Sequence, residues 1–211
     1  MSILRRALRR LSRRGPDDES TRALIDMLVK RSVSGHPAVD PKGVVLELSL
    51  ARGSRTLAVV ELADDEDPLR YVIASRIGGD AAGHMGRIIV TGLHVTLDRR
   101  ALPEQWPSRW ATPIQAQPSD ASSDFGQTRD FVWRPLDATG ASVSEVVQLL
   151  SDNDRITRWV GGVLREQATM QFEVAPTASM VRVAAHQRGS GLPHPTTVEA
   201  VLTVARAIAG R

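Results

Sequence analysis

The chain predicts an α+β fold: two N-terminal helices, a mainly antiparallel β meander, then a β-α-β-β-α unit. Three observations carry this expectation. Strand-like segments come in runs and do not alternate strictly with helices. Helical apolar spacing recurs behind capping signals at both ends of the chain. Hydrophobic residues make up 42% of the 211 residues but aromatics only 4%, so a core exists and must be built from Leu, Val, Ile and Ala. That length suits one large domain or two small ones.

The first fourteen residues, MSILRRALRRLSRR, hold six arginines and no acid, in a chain whose formal net charge is only +3. The rest of the chain is therefore net acidic, and basicity belongs to one arm. Leu4, Leu8 and Leu11 recur on one helical face, with Arg5, Arg6, Arg9, Arg10, Arg13 and Arg14 around them. Gly15-Pro16 ends this basic amphipathic arm, 1–15. A second helix is expected over 18–33, with Asp17 or Asp18 as cap and Leu24, Met27, Leu28 and Arg31 on one face. Gly35-His36-Pro37 ends it.

Next, Leu46, Leu48 and Leu50 alternate with Glu47 and Ser49, which predicts a half-buried strand over 44–50. Arg52-Gly53-Ser54-Arg55 reads as its turn, and 56–62, 70–77 and 87–97 complete a four-strand meander. Asp64 to Pro68 is an acidic turn. Residues 101–128 hold four prolines and then a polar run, so a linker or long loop is placed at 118–128, between 16–117 and a C-terminal α+β region, 129–211, that can share one domain with it. Strands are expected at 131–134, 168–175 and 180–186. Helices begin at the capping boxes Ser142–Glu145 and Thr196–Glu199, and another helical pattern holds Ile156, Trp159, Val160 and Val163.

Composition narrows function. With no cysteine, disulfides, thiolate catalysis, Fe–S clusters and cysteine-based zinc sites are excluded. No apolar run reaches the roughly 18 residues of a spanning helix. Cytoplasmic placement is expected, with peripheral membrane contact through the arm. Lysine occurs only at 30 and 42, so arginine bias runs through the whole chain and single arginines carry little meaning, but their clustering at the N-terminus stands apart.

Few motifs carry chemistry. The glycine-rich segment 78–86, with Gly83 and His84, lacks GK[ST] and lies between two strand patterns, so a hairpin loop is the plainer reading and a loop site the sharper one. The histidines 36, 84, 94, 186 and 194 show no ligand spacing, and neither a metal nor another cofactor is expected. Gly189-Ser190-Gly191 is not a nucleophile elbow. Trp106 and Trp110, around Pro107 and Arg109, could form a stacking platform, although such tryptophans more often anchor a loop.

The expected function is that of a non-catalytic interaction protein whose arm engages an anionic membrane surface or an acidic protein partner. Two alternatives stand beside it: a nucleic-acid-associated protein using the arginines on phosphates, and an enzyme with a site near 78–86. The apolar face of the last helix leaves homo-oligomerisation open.

Overall fold

The computed structural model describes residues 16–48, 54–64, 67–78, 89–107, 110–118, 131–136, 141–166, 170–189 and 191–210. The arm 1–15, most of the glycine-rich segment and almost all of the 118–128 linker fall outside the described residues.

The α+β class holds, with one eight-stranded antiparallel sheet at its centre. In chain order the elements are α1 (Asp18–Val29), β1 (Gly35–Pro37), α2 (Pro41–Glu47), β2 (Ser54–Leu62), β3 (Leu69–Gly78), β4 (Ile89–Asp98), a 3-10 turn (Arg99–Ala101), β5 (Ile114–Pro118), β6 (Phe131–Pro135), α3 (Ala141–Ser151), α4 (Asp154–Glu166), β7 (Gln171–Pro176), β8 (Met180–Arg188) and α5 (Pro195–Ile208). The sheet order is β1-β2-β3-β4-β8-β7-β5-β6. β4 and β8 pair from Val90↔Arg188 to Asp98↔Met180, so strands from both halves of the chain share one sheet.

Strand alternation builds the main core. Val72 and Ala74 on β3, Leu93, Val95 and Leu97 on β4, Val181, Val183 and Ala185 on β8, and Phe172 and Val174 on β7 all point to one face. Helices cover that face: Leu24 and Leu28 from α1, Val146 and Leu150 from α3, Ile156 and Val160 from α4, and Val198, Val201 and Ala205 from α5. Asp17 caps α1 by accepting from Ser20 N at 2.6 Å, and Asn153 opens α4 by accepting from Ile156 N at 3.0 Å. Asp67, at the end of the acidic turn, is buried, accepts from Leu69 N and pairs with Arg206 on α5.

Three expectations need correction. Residues 41–47 form helix α2, where a strand was expected over 44–50. Asp40 caps it, accepting from Gly43 N at 3.0 Å, and Pro41 stands at its first position. Val44 and Leu48, four apart, then face Val59, Ile73 and Met180 on the second sheet face. Leu46 is left 78% exposed, so the period-2 leucines were a coincidence of spacing. The meander accordingly has three strands, β2 to β4, with the short β1 beside it. The cap of α5 is His194, with Pro195 at the first helical position, not Thr196. Glu199 instead lies 4.0 Å from Arg31. Within the irregular stretch 101–128, Ile114 and Ala116 alternate with Gln115 and Gln117 as strand β5, central enough to join β6 to β7.

Phe172 is fully buried in the main core. Phe172→Ala should cost about 3–5 kcal/mol in urea denaturation, whereas Leu46→Ala, on the outer side of α2, should change stability by less than about 0.5 kcal/mol.

Candidate functional site

The second face of the sheet is where polar chemistry collects. Its residues follow from register. Ser75 lies opposite Gly92, Ile73 opposite His94, Gly92 opposite His186, and His94 opposite Ala184. Ala184 is opposite Glu173, and Glu173 is opposite Gln115. Five strands thus bring Ser75, His94, His186, Arg182, Glu173 and Gln115 to one cleft of about 430 Å³, with Ile77 and Val90 as apolar wall and Ser54 and Gln171 also lining it.

Contacts within the cleft are short. Ser75 Oγ and His94 Nε2 are 2.8 Å apart. The His94 and His186 rings meet edge to face, with centroids 5.4 Å apart. Arg182 donates to Glu173 in an ion pair whose side chains are 15% and 12% exposed. Gln115 Nε2 approaches the other Glu173 oxygen at 3.5 Å, too long for a strong bond.

Gly92 makes this arrangement fit. A Cβ at that position would stand 2.9 Å from His94 Nε2, 2.9 Å from Ser75 Oγ and 3.0 Å from His186 Nδ1. Three polar atoms from three strands converge above one missing side chain.

Electrostatics keep both imidazoles neutral. Burial holds His94 well below its ordinary value, and the neighbouring His186 and Arg182 push the same way. Burial also lowers His186; Glu173 opposes that shift and Arg182 adds to it. The cleft then holds one carboxylate, one guanidinium and two neutral rings. Two buried polar atoms of residues that line it, His94 Nδ1 and Arg182 Nε, have no hydrogen-bond partner among the described residues. Such groups are rare in folded proteins and mark strain or an absent partner.

None of the sequence-derived site residues that the structure describes lies in this cleft. Leu4, Leu8, Leu11 and the six arginines of the arm, together with Gly83 and His84, lie outside the described residues. Trp106 and Trp110 pack on each other, with ring centroids 5.7 Å apart. Trp110 is 1% exposed, and its Nε1 donates to Thr112 O at 2.6 Å. Arg99 clamps the same loop by donating to Trp110 O at 2.7 Å and to Thr177 O at 3.0 Å. Trp110 is thus a loop anchor with no free ring face, while Trp106 reaches the wall of a separate groove of about 900 Å³. His36 is exposed on β1, and His194 caps α5. Among the described residues no group of three or more His, Asp or Glu is placed to hold a metal. No helix among them is long and apolar enough to cross a membrane.

Ser75, Gly92, Gln115, Glu173 and Arg182 did not stand out in the sequence as site residues. Their local signal is polar residues at alternate positions of strands whose other side is apolar, as in Gly92-Leu93-His94-Val95-Thr96. Only long-range register turns that signal into a cluster.

Gly92→Ala should destabilise by about 1–3 kcal/mol in urea denaturation, as overpacking against fixed neighbours does, and should shift the His94 and His186 imidazole resonances. Acid should also weaken the fold. Unfolded imidazoles take up protons near pH 6.5, whereas the folded protein holds these two neutral. The unfolded state therefore binds more protons below that pH, and stability falls as pH drops from about 7 toward the depressed folded values. Urea midpoints at pH 7.5 and 5.5 check this, and the double variant His94→Gln, His186→Gln should flatten the difference. No protein-family model, no curated protein and no solved structure matches this chain, so the reading of the cleft rests on its own residues.

Proposed function

We propose that this chain is a non-catalytic binding protein that holds a small polar ligand, or a small polar group of a larger partner, in the cleft on the second sheet face. The observation that carries this reading is the pair of buried, unpartnered polar atoms, His94 Nδ1 and Arg182 Nε, in residues that line the cleft. Its volume of about 430 Å³ lies within the usual range for small-molecule sites. A polar cluster on strand interiors is also rigid, which reduces the ordering cost of binding.

Ser75 and His94 invite comparison with a hydrolase nucleophile and base. A triad histidine is oriented by a carboxylate on its second nitrogen. Here that nitrogen is partnerless, and Ser75 sits mid-strand at 1% exposure. Binding accounts for the pair better than acyl transfer does.

The test is a thermal-shift screen of small polar compounds on the full chain and on Gln171→Trp. Gln171 is exposed and lines the cleft, so tryptophan there blocks entry without disturbing the core. Compounds that raise the melting temperature of the full chain should lose that effect in Gln171→Trp. Compounds that stabilise both proteins equally would place binding elsewhere.

Charge segregation favours a second, independent role. Six arginines among residues 1–14 sit on a chain whose remainder is net acidic. We propose that this arm tethers the protein to an anionic surface. The full chain should co-sediment with vesicles containing phosphatidylserine at low salt, and a variant with all six arginines replaced by glutamine should not. Equal sedimentation of the two, or none by either, would turn attention to nucleic acid or an acidic protein partner.

A further inference from the structure

The charge and the open hydrogen-bonding positions of the cleft narrow what it holds. Resting on the binding reading above, we infer that the cleft takes an uncharged ligand that presents a carbonyl-type acceptor, the amide class, and discriminates against carboxylates, phosphates and amines.

The first argument is charge balance. Glu173 and Arg182 neutralise each other at close range, and both side chains are largely buried. The two imidazoles beside them add no charge at neutral pH. A ligand carboxylate would leave water to face Glu173, which already balances the charge of Arg182. A ligand ammonium would face the Arg182 guanidinium, whose ion pair already balances the Glu173 carboxylate. An uncompensated charge placed in such a site costs far more than a neutral polar group that is hydrogen-bonded.

The second argument is the set of unfilled positions. Arg182 Nε–H can only donate, so it asks for an acceptor. His94 Nδ1 is open in either tautomer. If Ser75 donates to Nε2, Nδ1–H is a second donor toward the ligand. If Nε2–H donates to Ser75, Nδ1 accepts from the ligand. In both cases a carbonyl oxygen answers Arg182, and an amide, with its oxygen and N–H side by side, can answer either form of His94. Gln115, held to Glu173 only at 3.5 Å, can turn to meet the same group. Ile77 and Val90 supply apolar surface for the body of the ligand.

Three compounds of one shape isolate the charge: benzamide, benzoate and benzylamine. Each is titrated into the full chain at pH 7.5, and the imidazole resonances of His94 and His186 are followed by NMR. Benzamide should shift both and bind at least tenfold more tightly than the other two. Arg182→Lys keeps a cation beside Glu173 but removes the Nε donor, and it should weaken benzamide about tenfold, as loss of a charge-assisted hydrogen bond does. Benzoate or benzylamine binding as tightly as benzamide overturns the amide assignment and leaves the cleft a binding site. Benzamide affinity unchanged in Arg182→Lys overturns the role given to Nε. If neither these three nor any stabilising compound from the screen moves the two resonances, the binding reading itself falls.

Discussion

Everything in this molecule hangs on the ladder between β4 and β8. It joins a strand near residue 94 to one near residue 184, nine pairs long, at the middle of the sheet. One side of that ladder is Leu93, Val95 and Leu97 against Val181, Val183 and Ala185, which form the floor under α5. The other side is Gly92, His94 and Thr96 against Arg182, Ala184 and His186. One set of backbone hydrogen bonds therefore fixes the hydrophobic core and the polar cleft together. A slip of one residue would exchange the two faces and place histidines against the helices.

The two faces are stabilised by different physics. The helix-covered face relies on apolar burial, which is nondirectional and tolerant of modest change in shape. The cleft relies on directed contacts among Ser75, His94, His186, Glu173 and Arg182, where a displaced atom leaves a buried polar group alone. α2 marks the border between the regimes. Its Val44 and the C-capping Leu48 close an apolar cluster with Val59, Ile73 and Met180, and the polar groups begin beside it, at His94 opposite Ile73 and at Ser75 two residues along β3. Gly92 is the hinge of this design, because the absence of its side chain is what allows three polar atoms to converge.

Local signals in the sequence carried far. Asp17, the apolar faces of α1 and α5 and most strands were readable, because caps and periodicity are encoded within a few residues. The segment 44–50 misled because Leu46, Leu48 and Leu50 satisfy a period of two, while the deciding information lay earlier, in Asp40-Pro41. The cleft was legible only in fragments. His94 and His186 were readable as strand histidines, and Glu173 and Arg182 stand near each other in a hairpin, but nothing in spacing joins residue 75 to residue 186. That knowledge is held in the order of strands, which crosses between the halves of the chain.

The same strand order shapes how the protein comes into being on the ribosome. β2, β3 and β4 can pair as soon as they emerge, but β4 then presents a bare edge until β8 is made. At ordinary rates of synthesis that wait lasts on the order of ten seconds. Throughout it, Leu93, Val95 and Leu97 lack both their neighbouring strand and the helix that will shelter them. The nascent half-sheet thus carries an unpaired edge and an uncovered apolar face until β8 and α5 are made, the kind of surface on which chains associate.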